Sequence, residues 1–319
     1  MITKAQIVSV DTEYSDYAPE LERGNPKLVV RCHTLTEVTR NARRWLNGYV
    51  SPASKSKEWG AILDARVLTP KRFHQRYAVP PATYINKDGK TCKWRDDDRI
   101  EAVREWKEAH KGVEMLSTTD AAAVEQAVGV IARDERVLVL IDSGDHQVWV
   151  QGEWVDKATG LTVPIKCLID MVPSVDDPIY GKCLADLKTT TNASPRKFAR
   201  DCYEYGYAIQ GAFYLDLYVA ATGEDRTDFC HVIQESFPPY ELRSPPPLLD
   251  GNWIEVGRCQ YRAMLAYYCK CLATDTWPGY DADGQWPVTS PEPWMLQQPL
   301  ATWNEREQEE PETELAGAN

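Results

Sequence analysis

The chain has no Cys-x-x-Cys pair, no long apolar run and no surplus of basic residues. Its nine cysteines are scattered, and their closest pair is Cys269 and Cys271. That spacing excludes zinc ribbons, thioredoxin-like redox sites and cysteine-ligated iron–sulfur clusters, and leaves reduced, mostly buried thiols as the expectation. No apolar stretch approaches the roughly 20 residues of a membrane helix, so no membrane partner is expected. The opening "MITKAQIVSVDTEYSD" lacks the basic-then-apolar order of a secretion signal, which makes the cytoplasm the expected compartment. The five histidines show no spacing of a metal triad. A net charge of −12 argues against a protein that coats nucleic acid along its outside, though an internal channel needs only a basic lining.

What is present is an ordinary globular composition, 43% apolar and 26% charged over 319 residues. Residues 1–30 read as a polar, turn-rich lead-in. "TLTEVTRNARRWLNGY" from Thr34, "SKEWGAILDARVL" up to the stop at Thr69 and Pro70, "DDRIEAVREWKEAH" and "TTDAAAVEQAVGVIARD" carry helical spacing and caps, with residues 80–95 as a loop between them. The character then changes to β-branched runs broken by turns, from "RVLVLIDSGDHQVWVQGEWV" through "GLTVPIKCLIDMVPS" to "GKCLADLKTT". One long helix is predicted from Ser194 as N-cap and Pro195 as first helical residue, then the strand "DFCHVIQES" and a closing helix from Trp253. The order is that of an α+β protein, α/β/α-like, with one central sheet over residues 31–280. Residues 281–319 form a Trp/Pro-rich segment and an acidic tail, expected to be disordered. Trp277, Trp286 and Trp294 are expected to serve the core or crystal contacts, with binding of a partner as the alternative.

One stretch carries chemistry. In "CLADLKTT" Asp186 and Lys188 alternate onto the same face of a strand. Asp170 ends the preceding strand, "VPIKCLID", and a short turn between antiparallel strands brings Asp170 and Asp186 to ~5 Å. Two adjacent carboxylates repel unless a divalent cation joins them, and a nearby lysine can orient or deprotonate a water and steady charge on a phosphate. A plain same-face ion pair is the alternative. Against it, Thr189, Thr190 and Thr191 lead into a helix N-terminus, which attracts phosphate, and Arg196, Lys197 and Arg200 occupy first turns where acids are ordinarily preferred. On the same helix Tyr207, Gln210 and Tyr214 share a face. Gln210 there needs a buried partner, whereas Tyr214 reads as packing.

Taken together, "CLIDMVP", "LADLKTTTNASPRKFARDCYEYGYAIQGAFYLD" and "WIEVGRCQYRAMLAYYCKCLATDTWPGY" resemble the PD-(D/E)xK nuclease domain of exonuclease VIII, the RecE-type recombination exonuclease of phages and prophages, over residues 30–280. The resemblance implies a restriction-endonuclease-like core with a central mixed sheet flanked by helices. It implies a magnesium-dependent enzyme, with manganese as a substitute, that digests one strand of linear double-stranded DNA ends from 5′ to 3′ and leaves 3′ overhangs for recombination. It implies homo-oligomeric rings, a RecT-like single-strand annealing partner, and a bacterial or phage-infected cell. Carried over by position, Asp170, Asp186, Lys188 and Gln210 are catalytic. Asp170, Asp186 and the Leu187 carbonyl hold metal, joined by Asp64 and Glu153, with Gln151 competing for the last place. Thr189, Thr190, Arg196, Lys197, Arg200 and Tyr207 contact DNA. One departure is visible: the family's "G-x-x-x-H-x-x-x-L-x-P" appears here as "GAILDARVLTP", with Asp64 in the histidine's place. A non-catalytic DNA-end or protein-binding module and an endonuclease are the rival readings.

Overall fold

In strand Gly144–Val155, Val148, Val150 and Trp154 are buried at every second or fourth position, and in Thr162–Pro173 so are Val163, Ile165, Cys167 and Ile169. In the first strand that period of two is what a pleated strand with one packed face requires, whereas the second also buries Lys166 and Leu168 and is covered on both faces. The computed structural model describes residues 1–17, 24–25, 28–49, 52 and 54–280. In chain order, β1 (Ile2–Ser9) and the short α1 (Tyr14–Tyr17) lead into α2 (Cys32–Arg40), α3 (Ala42–Leu46), α4 (Lys55–Leu68) and α5 (Pro70–Arg76). An insertion follows, made of β2 (Tyr77–Ala78), β3 (Thr83–Ile85), β4 (Thr91–Lys93), α6 (Glu101–Ala109) and β5 (Glu114–Met115). Next come α7 (Thr118–Ile131), α8 (Glu135–Asp142), β6 (Gly144–Val155), β7 (Thr162–Pro173) and β8 (Cys183–Thr190). The chain continues through α9 (Pro195–Glu204), α10 (Tyr207–Thr222), β9 (Asp228–Glu235), β10 (Leu242–Arg243) and α11 (Gly251–Thr274).

The main sheet has six strands in the order β1-β6-β7-β8-β9-β10. Only β8 and β9 pair in parallel, because α9 and α10 form the crossover between them; the other neighbours are antiparallel. Helices α2, α10 and α11 pack with Leu184, Phe229 and Ile233, and α4, α7 and α8 pack with Ala185, Leu187 and Val232. Successive residues of β8 therefore feed two cores, which is the mixed α+β architecture read from the element order. The tyrosines Tyr261 and Tyr268 with Phe213 and Phe229 are the largest fully buried side chains, each contributing on the order of 1.5–3 kcal/mol through burial. Trp277 joins this core against Trp45 at a ring separation of 5.4 Å; Trp286, Trp294 and the acidic tail lie outside the described residues. All nine cysteines are free and seven are buried, as their spacing predicted. Among the described residues no helix is long and apolar enough to cross a membrane.

Four local expectations are corrected. Residues 2–9, read as part of a polar lead-in, form edge strand β1 on β6, where Ile2, Thr3, Ile7 and Val8 supply β-branched side chains. The run "ERVLVLID", read as strand, is helix α8: Asp134 caps it by accepting from the Arg136 and Val137 N–H groups, and Val137, Leu140 and Ile141 bury at helical spacing. The single long helix after Ser194 is two, because Gly206 adopts φ +72°, a left-handed conformation in which glycine meets no side-chain penalty. Residues 80–95, read as a loop, contain the β3–β4 hairpin closed by Asn86 and Lys90.

Candidate active site

β7 and β8 pair antiparallel so that Met171 faces Ala185, which sets Asp170, one residue back in β7, beside Asp186, one residue on in β8. The two strands are stitched at this point by the Leu187 N–H, which donates to Asp170 Oδ2 at 2.9 Å. Gln210, one turn into α10, donates its Nε2 to Asp186 Oδ1 at 2.6 Å, so the amide on an apolar helix face has the buried partner it requires. Lys188 Nζ lies 2.6 Å from Asp186 Oδ2 and 5.0 Å from the centre of the Tyr207 ring. Asp186 is 3% exposed, and its Oδ2 receives no aligned hydrogen bond, only this ion pair.

Helix α4 brings a third carboxylate. Gly60 lets the helix approach the sheet closely, since a Cβ there would stand 3.2 Å from Thr189 Oγ1, and Asp64 follows one turn later into the same cavity. Burial first, then the Asp186 charge, pushes the Asp64 carboxyl up to about 7, against the pull of Lys188 and Arg76. Asp170 is raised in the same way, by burial and then by Asp186 and Asp64. Burial works to lower the Lys188 ammonium, but the Asp186 carboxylate leads the groups that outweigh it, and the lysine ends above its ordinary range. With Asp186 beside it the lysine is held as the cation, the form suited to orienting water and offsetting negative charge.

These groups line one cavity of about 890 Å³. Of the residues singled out in the sequence, Asp64, Asp170, Asp186, Leu187, Lys188, Thr189, Thr190, Lys197, Tyr207 and Gln210 border it. Lys197 is tied to the buried Asp201 one turn on, which neutralises much of the charge expected to hold DNA. Arg196 and Arg200 stand exposed on α9 and do not line the cavity. Glu153 is a correction. It sits opposite Pro164, six residues along β7 from Asp170 or about 20 Å, and pairs with Lys4 at 3.0 Å. Gln151 is likewise remote, opposite Lys166. The β6 residue at the level of Asp170 is Gln147, whose Nε2 donates to Asp170 Oδ1 at 3.3 Å. Sequence reasoning missed it, along with the cationic rim of Arg31, Lys57, Arg72 and Arg76, supplied by segments distant in the chain. Tyr214, assigned to packing, also borders the cavity while its ring packs on Phe229.

The donor set suits a hard divalent cation: three carboxylates with oxygen donors only, one of them with an oxygen free of hydrogen bonds. Among the described residues no three His, Cys, Asp or Glu side chains close around a single point. A cation bound at the acid pair would draw on one or two of these carboxylates and on water.

No curated protein matches the chain. Among solved structures, a crystal structure from Eubacterium rectale named "Putative exonuclease" is similar at 14% identity and a TM-score of 0.55, covering 91% of this chain and 98% of that one. At that identity the likeness speaks for the fold, a central mixed sheet flanked by helices. Residues 39–284 match the family model described as a PDDEXK-like domain of unknown function (DUF3799). A match of that extent, on strands that carry an acid pair and a lysine side by side, places the protein in the PDDEXK-like DUF3799 family.

Proposed function

We propose that the protein is a magnesium-dependent deoxyribonuclease of the RecE type, a 5′ to 3′ exonuclease that acts on linear double-stranded DNA ends in recombination. The observation that carries this reading is the cluster of Asp170, Asp186, Lys188 and Gln210 on the floor of a cavity rimmed by Arg31, Lys57, Arg72 and Arg76. A bound magnesium, or manganese, would be held by Asp170 and Asp186, with Asp64 and the Leu187 carbonyl nearby, and would supply Lewis-acid activation of water and phosphate. The chain's own residues do the rest. Gln210 and the Leu187 N–H fix the two carboxylates, Lys188 orients the attacking water and offsets charge growing on the phosphate, and Thr189 and Thr190 offer hydroxyls toward it. An annealing protein and a ring of like subunits belong to the same proposal.

The test is release of nucleotides from linear duplex DNA with magnesium, beside a closed circular duplex. Loss of the linear substrate alone is expected; cutting of the circle would favour an endonuclease, and no hydrolysis of either would leave a DNA-end binding module. Arg196 and Arg200 reach only duplex outside the cavity. The double variant Arg196→Ala/Arg200→Ala is expected to raise KM and to reduce the slope of log affinity against log salt by about 0.9 for each phosphate left without its arginine, with kcat unchanged. A fall in kcat in saturating DNA would show instead that these arginines act at the scissile phosphate.

A further inference from the structure

Gln147 sits in β6 with φ +46°, the left-handed region that a side-chain-bearing residue occupies at a cost on the order of 1–2 kcal/mol. Such outliers persist only where their surroundings hold them. Here the surroundings are a strap formed by the segment after β1. Thr12 N–H donates to the Gln147 carbonyl at 3.0 Å and Asp11 N–H to the His146 carbonyl at 2.9 Å. Arg72 of α5 anchors the strap, bonding the Asp11 carbonyl and reaching Glu13 Oε1 at 3.4 Å. The Ser9 and Thr12 hydroxyls close it at 2.6 Å. In the β6–β7 register Gln147 falls between His146, opposite Met171, and Val148, opposite Ile169, which is the level of Asp170.

The strap thus holds β6 out of its regular conformation at the one place where the Gln147 amide meets the acid pair. The arrangement on Asp170 matches that on Asp186: an amide on Oδ1 in each case, from Gln147 at 3.3 Å and from Gln210 at 2.6 Å. The second oxygens differ, because Asp170 Oδ2 takes the Leu187 N–H while Asp186 Oδ2 faces Lys188. Each carboxylate therefore has its plane set by protein donors before any ligand arrives.

The geometry points to Gln147 as a positioning residue for Asp170, one whose strained backbone exists to aim an amide that orients this carboxylate for a divalent cation. The inference rests on the metal-nuclease reading above. Partners that orient a ligand of this kind change metal affinity by roughly 10–100-fold when removed. A merely structural glutamine, satisfying a buried acid, would change stability and leave cation affinity alone.

The experiment is a titration of the full chain with Mn²⁺ alone, free Mn²⁺ being read by electron paramagnetic resonance. The proteins are unmutated, Gln147→Gly, Gln147→Met, Asp170→Asn and the double variant Gln147→Gly/Asp170→Asn. Glycine relieves the left-handed strain as it removes the amide, so that variant is expected to fold with an unfolding midpoint no lower than that of the unmutated protein. Its Mn²⁺ affinity is expected to fall by about ten-fold, with Gln147→Met alike and with no further loss when Asp170→Asn is already present. Unchanged affinity in Gln147→Gly and Gln147→Met would overturn the assignment while the metal reading stands. Absence of Mn²⁺ binding by the unmutated protein would overturn both.

Discussion

Lys188→Ala is expected to slow hydrolysis of linear duplex DNA by on the order of 10³-fold while DNA affinity changes little. The side chain is half-buried, with Asp186 at 2.6 Å and the Tyr207 ring beside it, and the Asp186 carboxylate favours its charged form. A charged ammonium among three carboxylates serves to orient water and to stabilise charge that appears only as the phosphate reacts. Removing it therefore acts on kcat rather than on KM. Lys188→Arg, which keeps the charge, should retain more activity than Lys188→Gln, which keeps only hydrogen bonding. Taking away the cation that faces Asp186 also leaves the carboxylates uncompensated, so the metal-free Lys188→Ala protein should unfold at lower temperature. Single-turnover rates above a tenth of normal in Lys188→Ala would sink the role assigned to this residue.

Between pH 6.5 and pH 4 the protein is expected to lose stability with a contribution from one side chain, His231. This residue is 0% exposed, its two ring nitrogens have no hydrogen-bond partner among the described residues, and Phe198, Tyr207 and Phe229 surround it. Burial first, with help from Lys188 and against Asp186, lowers its pKa from 6.5 to about 3. The folded state thus holds the imidazole neutral while the unfolded chain protonates it near pH 6.5. Stability is full above that value and falls by about 1.4 kcal/mol per pH unit as pH drops toward 3. Asp64 and Asp170, shifted upward, act in the opposite sense, so the comparison must be between the unmutated protein and His231→Phe. Denaturant unfolding at pH 7, 6, 5 and 4 should show the difference in stability between the two moving in favour of His231→Phe at each step down. A difference that stays constant with pH would mean that His231 is not kept neutral by the fold.

The acid pair was legible because its evidence is local. Strand alternation places Asp186 and Lys188 on one face, and the turn that separates the strands places Asp170 beside them. Gln210 was legible because an amide on an apolar stripe needs an explanation. Glu153 failed for want of register: β6 and β7 are 12 residues each, nothing in either strand marks which residue faces Asp170, and the acid that looked right lies six residues out. Gln147 left no trace in the pattern, because its left-handed backbone is imposed by Asp11, Thr12 and Arg72, residues that only the tertiary structure brings to β6. "ERVLVLID" misled because β-branched composition outvoted the Asp134 cap and the spacing of Val137, Leu140 and Ile141. The match to the family model supports the PD-(D/E)xK reading, while the RecE-type activity stays with the proposal.

The groups on the cavity floor come from places far apart in the chain: Asp64, Gln147, Asp170, Asp186, Lys188 and Gln210 lie on α4, β6, β7, β8 and α10, with Thr12 ahead of them all. Asp64 on α4 lies farthest in sequence from the acid pair it faces, so bringing them together closes the longest of these loops and carries the larger entropic cost. A repulsion between Asp64 and the acid pair that closes after the transition state for folding is felt only in the finished molecule, and folding and unfolding rates of Asp64→Asn are the test. Substitutions that relieve it belong to the class that slows unfolding and leaves the rate of folding almost untouched. A functional site assembled in this way places its electrostatic strain on the lifetime of the native state, where a bound cation would relieve it, and keeps it away from the route by which the chain arrives there.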